Sequence, residues 1–519
     1  MASNESTPGL DLESSISAVI AFASKTCNKP LYDEQRLLTE EAIPTGLPDL
    51  LSPDLSSISN TLSDKRRLIV VLDSLANLSI SKPYGQVHAV GMRIFFDQKE
   101  NKTRVHLIIS GNDDVPKASI NHLSYIWKTI SELSALYAKQ RDALPSCADS
   151  PEPPPPNRSK ETIELERDFC LRSLKFSWAK VCRRIAKGLD KFKDMDLSKL
   201  DKNDPLRTVF SFLIHLEHYT NIQKRNIEWD KVQKMFYFMK VCIDENREKR
   251  SSSYLKVPAN FRLDRYLLKI VAAQKDIGVL LALARSPRCR KILRGFFEIR
   301  ALQEFDLKPT LMTSSIPQTG EQWRSLIDSV LEDRNKYKTS SDDMLELVGD
   351  TVNAHCSEME TYNLRVTNTV HCECKLVLYF QQQSSDQPRP YSYIGVSKLS
   401  CRGCDIFLDA VNKVFGSNFL TKGCHHKWYY PWRFPQLNRG GTEVAKEMYK
   451  GLCVKFSRAY HGFRVMREEN LSDSETESGG VYKDPDYPED MHGFLEGLDA
   501  EKLARETGLE KASKRKRVT

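Results

Sequence analysis

The chain of 519 residues is 40% hydrophobic and 28% charged, with a formal net charge of +8 and a sequence pI near 8.7. This size predicts two to four compact units. The mild basic excess falls short of the pI above about 9 that is typical of a dedicated nucleic-acid-binding domain. Its apolar runs are far shorter than the roughly eighteen residues that an ordinary transmembrane helix needs.

The N-terminus and the cysteines indicate the cellular compartment in which the protein is expected to reside. The first residues, MASNESTPGLDLESS, are acidic and lack the charged and apolar segments of a signal peptide. The 13 cysteines are odd in number and scattered, which fits a reducing interior without a disulfide framework. We therefore expect an intracellular protein with no membrane partner.

Residues 1–144 are predicted to form a mixed α/β region. Its helical patterns accompany one β-hairpin pattern, in which GQVHAVGMRIFF and TRVHLIISG flank the turn-forming DQKENK. Residues 145–160 follow as a Pro-rich linker or a long surface loop, with consecutive prolines from Pro153 to Pro156.

Residues 161–340 are predicted to form a helical region, because the apolar spacing is helical almost throughout to about Arg300. This region could be an interaction platform or could shape a substrate channel. Its two basic clusters either track a phosphate backbone or form a solvated helix face. They comprise Lys175, Lys180, Arg183, Arg184, Lys187, Lys191 and Lys193, and then Arg285, Arg288, Arg290, Lys291 and Arg294.

The clearest chemistry lies in His371 and Glu373, which read H-x-E, and in Cys401 and Cys404, which read C-x-x-C about thirty residues later. Either half arises easily by chance. A second H-x-E at His215 has no C-x-x-C downstream at useful spacing and is predicted to be ordinary helix. Together, the two halves form the ligand pattern of a zinc-dependent nucleobase deaminase. Three protein ligands leave zinc one position for water, which is typical of a catalytic site.

Both halves of this motif are predicted to begin helices. VHCECKLVLYFQQQ and CRGCDIFLDAVNKVFG have helical apolar spacing, and the second ends at the stop signal Gly416. YSYIGVSKLS between them is typical of a short buried strand. The positive end of a helix dipole favours thiolate over thiol, and first-turn side chains of two helices can converge on one point.

Three stretches, VHCECKLVLYF, YIGVSKLSCRGCDIFL and KGCHHKWYYPWRFP, resemble the fungal branch of the cytidine-deaminase-like zinc superfamily, a group sometimes called OTT-type deaminases. The resemblance covers about Val370 to Pro435. It implies an α/β/α deaminase-like domain, which we place at residues 341–466.

The same resemblance implies roles for four residues. His371, Cys401 and Cys404 would hold Zn²⁺, and Glu373 would be the general acid/base. The carboxylate would take a proton from water, deliver it to a ring nitrogen, and then protonate the departing ammonia.

That family has a helix and a β-hairpin before the H-x-E helix, yet only RVTNTV separates His371 from the preceding helical pattern. Six residues cannot form a hairpin. We therefore hypothesise that the hairpin within residues 1–144 pairs with the strand from Tyr393 to Leu399.

A structural zinc site is the alternative. Cys372, Cys374, Cys401 and Cys404 would form a closed Cys₄ site in a non-catalytic interaction or scaffold protein. The C-x-C spacing of the first pair is a poorer metal clip than C-x-x-C, which favours the catalytic interpretation.

The segment TKGCHHKWYYPWRFP is predicted to supply substrate contacts, because aromatic faces stack on bases and imidazole or phenol groups bond exocyclic groups or phosphate. The candidates are His425, His426, Trp428 and Tyr430. For Trp428 and Tyr430, core packing is the alternative. The predicted partner is a nucleobase-containing substrate of cytosine or adenine type, in a nucleotide or in nucleic acid, with single-stranded nucleic acid as one candidate.

Residues 467–519 are predicted to form a disordered tail, acidic at first and basic at its end. The run from Lys514 to Arg517 resembles a nuclear-localisation or nucleic-acid patch and favours the nucleus over the cytoplasm, although short basic ends are often only solubilising. The sequence thus predicts a multidomain protein. Its N-terminal two-thirds are mostly α-helical with one β-hairpin, followed by the α/β/α cytidine-deaminase-like domain and this tail.

Overall fold

A computed structural model describes the chain in stretches separated by gaps. They are residues 11–27, 36–37, 62–142, 158–193, 204–220, 227–249, 263–303, 317, 319–336, 356–357, 359, 369–383 and 388–465. The four consecutive prolines of the predicted linker and the whole predicted tail, with Lys514 to Arg517, lie outside the described residues.

Strands and helices are numbered here in chain order. The strands are β1 (Arg36–Leu37), β2 (His88–Asp97), β3 (Lys102–Gly111), β4 (Phe296–Leu302), β5 (Gly395–Val396) and β6 (Gly423–Cys424). The helices are α1 (Leu12–Thr26), α2 (Leu62–Leu78), α3 (Lys117–Asp142), α4 (Lys160–Lys193), α5 (Pro205–Thr220), α6 (Trp229–Lys249), α7 (Leu263–Ile270), α8 (Ala272–Arg285), α9 (Arg290–Leu293), α10 (Gly320–Lys336), α11 (Cys372–Gln382), α12 (Arg402–Phe415) and α13 (Gly441–Val465). The described part of the chain is therefore mostly helical with a small mixed sheet.

The described residues fall into two compact units. The first draws on Met1–Asn77, Gln86–Ile120 and Phe296–Glu477, and the second on Leu78–Gly85 and Asn121–Gly295. The second unit is thus inserted in sequence between strands of the first. The domain boundaries given above stay a prediction.

The four-stranded sheet of the first unit has the order β4-β3-β2-β5. β2 and β3 form the predicted hairpin, antiparallel and in register from His88 opposite Gly111 to Asp97 opposite Lys102. β2 also pairs antiparallel with β5, with Ala89 opposite Val396. The hypothesis that the upstream hairpin joins the strand between the two motif halves is confirmed.

One part of the helical prediction is wrong. Residues Phe296–Leu302 form β4, which pairs parallel with β3, although the helical interpretation extended to about Arg300. FFEIRAL alternates between more and less exposed positions, as expected for an edge strand with one face covered. The parallel partner lies almost two hundred positions earlier in the sequence, so local spacing gave no sign of it.

The core of the first unit lies around α1, which is buried on nearly all sides. Asp11 caps its N-terminus by accepting a hydrogen bond from the backbone N–H of Ser14 at 2.7 Å. Phe22 packs against Trp323 of α10 and Phe456 of α13, each with ring centroids 6.1 Å apart. Such all-round burial is typical of a helix inside a domain core.

A buried carboxylate joins α2 to the strand between the motif halves. Asp73 accepts hydrogen bonds from the Tyr393 hydroxyl at 2.8 Å and from the Val396 backbone N–H at 3.0 Å. Next to it, Gly395 approaches the α2 backbone so closely that a Cβ would lie 2.4 Å from the carbonyl oxygen of Leu72. Glycine is required here by space.

The second unit is a helical bundle with a buried ionic cluster. Glu166 of α4 accepts hydrogen bonds from the Tyr137 hydroxyl, from Arg158 Nη1 at 3.1 Å and from Arg285 Nη2 at 3.3 Å. Burial raises the pKa of Tyr137. A buried carboxylate needs such donors, because an unpaired charge inside a protein is costly.

Several residues of the predicted basic clusters have partners within this unit. Arg183 donates to the carbonyl oxygen of Pro83 at 2.7 Å, and its guanidinium lies 3.9 Å from the ring centroid of Tyr84. Arg184 donates to the carbonyl oxygen of Lys269 at 2.8 Å. These contacts hold the helices together, and a role in tracking phosphates stays a prediction.

Among the residues that the structure describes, no helix is both long and apolar enough to cross a membrane.

We predict that Gly395→Ala lowers the free energy of unfolding by about 1–3 kcal/mol, the usual cost of overpacking, because the added Cβ meets helix backbone rather than a flexible side chain. Urea denaturation followed by tryptophan fluorescence measures the change. Gly441→Ala is the matched control, since its Cβ would meet only the Leu437 Cβ at 3.7 Å, an ordinary contact. Equal midpoints for the two variants would contradict the close approach of α2 to β5.

Candidate metal centre

The two motif halves lie at the starts of two helices. His371 is the N-cap residue of α11, in an extended conformation with φ −69° and ψ 152°. Cys401 is the N-cap residue of α12, and its Sγ accepts a hydrogen bond from the backbone N–H of Cys404 at 3.5 Å. The second helix is followed by Gly416 in the left-handed region, with φ 60°. The predicted helix starts and the glycine stop are confirmed.

Three side chains of the motif converge on one point. The Nδ1 atom of His371 lies 3.2 Å from Cys404 Sγ and 3.5 Å from Cys401 Sγ, and the two sulfurs are 3.4 Å apart. Ligands at usual zinc distances in a tetrahedron would be about 3.5–3.8 Å apart. All three ligand atoms lie within 4.8 Å of one another. The arrangement is therefore compact enough to hold one metal ion.

The electrostatics of these groups also fit a cation. Burial raises the pKa of both Cys401 and Cys404 well above the usual range. For His371, burial disfavours the charged form, but the nearby Cys401 and Glu373 outweigh it and raise the pKa. Without a cation, the site therefore favours the protonated forms. Two thiolates and an imidazole are a donor set that suits zinc, whose charge would take the place of those protons.

Glu373 lies beside this group without being part of it. Its side chain is 5% exposed, and its Oε2 accepts a hydrogen bond from Cys372 Sγ at 3.3 Å. It is in the first turn of α11, two residues after His371. A buried carboxylate next to three metal-ligand candidates matches the position that the motif predicts for a proton carrier.

The Cys₄ alternative does not match the geometry. Among the described residues, the group of convergent ligand atoms contains His371 and leaves out Cys372 and Cys374. The Cys372 thiol instead faces Glu373, and the Cys374 thiol lies beside Cys404 Sγ.

Hydrogen bonds connect the first turn of α11 to the end of the β2–β3 hairpin. The buried Lys375 donates from Nζ to the carbonyl oxygens of Gly111 and Asn112, each at 2.9 Å. The Oδ1 atom of Asn112 accepts from the backbone N–H of Cys372 at 3.0 Å. Sequence reasoning missed both residues. The available signal was a lysine directly before the apolar run Leu376–Phe380.

The four predicted substrate residues follow β6 in an irregular segment tied to the turn before α12. The backbone N–H of His425 donates to the carbonyl oxygen of Ser400 at 3.1 Å, and its Nδ1 accepts from the backbone N–H of Lys427 at 3.0 Å. Burial, followed by the nearby Lys427, lowers the pKa of His425 to about 3. The imidazole is therefore neutral near pH 7, and the proton resides on Nε2.

The other three candidates differ in exposure. His426 is half-buried in a left-handed conformation with φ 60°, and its backbone N–H donates to Cys424 Sγ at 3.2 Å. Trp428 is 0% exposed within the hydrophobic core, and Tyr430 is half-buried against that core. The burial of Trp428 fits the packing alternative. The substrate roles of all four residues stay predictions.

The second H-x-E lies in ordinary helix, as predicted. His215 and Glu217 are on α5, where Glu217 accepts hydrogen bonds from Lys193 Nζ at 2.8 and 2.9 Å.

The first unit thus has the features of a deaminase-type metal centre: two helix starts that bring together His, Cys and Cys, with a buried carboxylate alongside. In agreement, a protein-family model described as an OTT_1508_deam-like deaminase matches residues 370–436. This stretch contains a deaminase-family domain, and its extent agrees with the Val370 to Pro435 predicted from the resemblance. Searches of the curated proteins and of the solved structures each found no match.

We predict that His371→Ala abolishes stoichiometric zinc binding, because it removes one of the three convergent ligands, whereas Cys372→Ala retains the metal. Elemental analysis of protein loaded with zinc and then desalted measures both. A Cys₄ site would show the reverse pattern.

A second prediction concerns the contact between α11 and the hairpin. Lys375→Met leaves two carbonyl oxygens without their donor, and we expect the free energy of unfolding to fall by about 2–6 kcal/mol, at about 1–3 kcal/mol for each buried unsatisfied group. Urea denaturation measures it. Lys446→Met, at an exposed position on α13, is the control and should be nearly neutral.

Proposed function

We propose that this protein is a zinc-dependent hydrolytic deaminase that acts on a nucleobase of cytosine or adenine type. The observation that carries the proposal is the convergence of His371, Cys401 and Cys404 next to the buried Glu373, inside the stretch that a deaminase-family model matches. A purely structural zinc site has no use for the buried carboxylate. The fungal branch of the cytidine-deaminase-like superfamily and its α/β/α fold are part of this proposal.

His371, Cys401 and Cys404 would hold the zinc ion. Zinc in such a site acts as a Lewis acid that makes water acidic enough to serve as a nucleophile near neutral pH. Cys401 and Cys404 are almost fully buried, whereas His371 is half-buried. Because His371 is the least buried residue of the group, substrate would reach the site along the His371 side.

Glu373 would move the protons of the reaction. Water adds to the amino-bearing carbon of the base, and the product carries a carbonyl oxygen in place of the amino group, with ammonia released. The carboxylate takes a proton from water, gives it to the adjacent ring nitrogen, and later supplies a proton to the leaving amine. Its enclosure, with 5% of the side chain exposed, limits exchange of that proton with solvent.

The segment after β6 would recognise the base. His425 is neutral and carries its proton on Nε2, so it can donate a hydrogen bond to a carbonyl or ring nitrogen. His426 and Tyr430 are half-buried and would add further contacts to the base. For Trp428, complete burial favours support of the segment over direct stacking.

The substrate class is a nucleotide or nucleic acid, with a single strand as the form that exposes its bases without unpairing. We place the activity inside the cell, in the nucleus or cytoplasm, on the cysteine usage of the chain and its basic run from Lys514 to Arg517.

We predict that Glu373→Ala retains zinc and loses at least about 10²-fold in turnover, because general acid–base catalysis typically contributes 10²–10⁴-fold. Zinc-loaded protein is incubated with cytosine- and adenine-containing nucleosides, nucleotides, single-stranded DNA and RNA, and deamination is scored by mass spectrometry. Elemental analysis of the same samples measures the metal.

Glu443→Ala, at an exposed position in the first turn of α13, is the control and should be fully active. Loss of zinc from Glu373→Ala would instead give Glu373 a structural role. A wild-type protein that binds zinc and deaminates none of these substrates would favour the scaffold alternative.

A further inference from the structure

Trp432 contacts the candidate metal centre at the sulfur atom of Cys404. Its side chain is 0% exposed, and its indole Nε1–H points to the Sγ of Cys404 at a distance of 3.4 Å. An indole nitrogen can only donate a hydrogen bond, and a thiolate can only accept one. The contact is therefore suited to the ionised form of Cys404, which is the form that binds a metal.

Apart from His371, each of the two sulfur atoms accepts a hydrogen bond from an N–H group of a described residue. Cys401 Sγ accepts from the backbone N–H of Cys404 at 3.5 Å, inside the first turn of α12. Cys404 Sγ accepts from the Trp432 side chain, and the buried Cys374 thiol lies beside it. The N–H group that donates to Cys401 belongs to the backbone of the helix turn, whereas the N–H group that donates to Cys404 belongs to the Trp432 side chain.

Gly403, between the two cysteines, leaves room for this indole. A Cβ at this position would lie 3.3 Å from both Cε2 and Nε1 of Trp432 and 3.1 Å from Cδ1 of Ile20, tighter than nearly all real contacts of a Cβ. The backbone φ angle of Gly403 is not positive. Space rather than backbone conformation therefore favours glycine here.

The residues that follow hold the indole in place. The backbone N–H of Arg433 donates to the carbonyl oxygen of Thr369 at 3.0 Å, and that of Phe434 donates to Ser17 Oγ on α1 at 3.3 Å. The Phe434 ring packs edge-on against Phe407 of α12 with centroids 6.0 Å apart. Trp432 is thus fixed between α12 and the core helix α1, with little freedom to leave Cys404.

We propose that Trp432 is a positioning residue of the metal centre, which fixes the Cys404 thiolate through its indole N–H, and that Gly403 supplies the clearance for it. The proposal rests on the proposed function only in that Cys404 is a metal ligand. Partners that orient metal ligands in this way typically account for 10–100-fold in metal affinity.

The test is Trp432→Phe in the full chain, which keeps an aromatic ring and removes the N–H. The apo protein is titrated with Co²⁺, and Zn²⁺ affinity is measured by competition with a chromophoric chelator. We expect Zn²⁺ affinity to fall at least about tenfold. We also expect the thiolate-to-cobalt charge-transfer band to move to longer wavelength, because a thiolate without its hydrogen bond gives up electron density more easily.

Trp323→Phe is the matched control, since Trp323 is equally buried in the same hydrophobic core and packs against Phe22. It should leave the band position and the affinity unchanged. Identical affinities and bands in the two variants and in wild type would overturn the proposal.

Gly403→Ala tests the same contact while keeping the indole, and it serves if Trp432→Phe does not fold. We expect weaker Zn²⁺ binding from Gly403→Ala alone and a smaller effect when it is combined with Trp432→Phe, because the shared contact is already lost. Strictly additive effects would overturn the role of Gly403. Because none of these readouts uses turnover, a protein that binds metal as expected but deaminates nothing would contradict the proposed function and leave the role of Trp432 intact.

Discussion

The pairing of β2 with β5 is the constraint on which the rest of the first unit depends. Two residue pairs, Ala89 with Val396 and Val90 with Gly395, join segments that lie roughly 300 residues apart. Closing a flexible loop of that length costs about 5 kcal/mol in chain entropy. The buried Asp73, which bonds both Tyr393 and Val396, and the donors at Lys375 offset this cost. The candidate metal centre is therefore positioned by contacts with residues that lie far from it in the sequence.

In the candidate metal centre, the burial of the two cysteine side chains opposes their ionisation to thiolates. Burial alone would keep the Cys401 and Cys404 thiols protonated, as their raised pKa values show. The helix starts and the N–H donors act in the opposite direction, but they are weaker than the desolvation of two thiolates. A bound divalent cation would resolve the conflict, and metal binding would then be coupled to folding of this region.

Short sequence patterns were sufficient to predict the elements that depend on interactions between residues close in sequence. The H-x-E and C-x-x-C residues, both helix starts, the Gly416 stop and the hairpin could be predicted, because caps, turns and apolar spacing act over a few residues. β4 was missed, because only its parallel partner reveals it as a strand. Lys375, Asn112 and Trp432 could not be assigned either. Their contacts join residues brought together by the fold, and no spacing in the sequence records them.

The insertion of the second unit has a topological consequence. Parallel neighbours need a crossover connection, and the chain between β3 and β4 makes that connection with the whole of Asn121–Gly295. The second unit is thus inserted in sequence between two strands that are neighbours in the sheet of the first unit. The stretch that the deaminase-family model matches, residues 370–436, contributes β5 to the same four-stranded sheet. Ribosomal synthesis must therefore complete Asn121–Gly295 before residues 370–436 are made, so the β2–β3 hairpin is synthesised long before its partner strand β5.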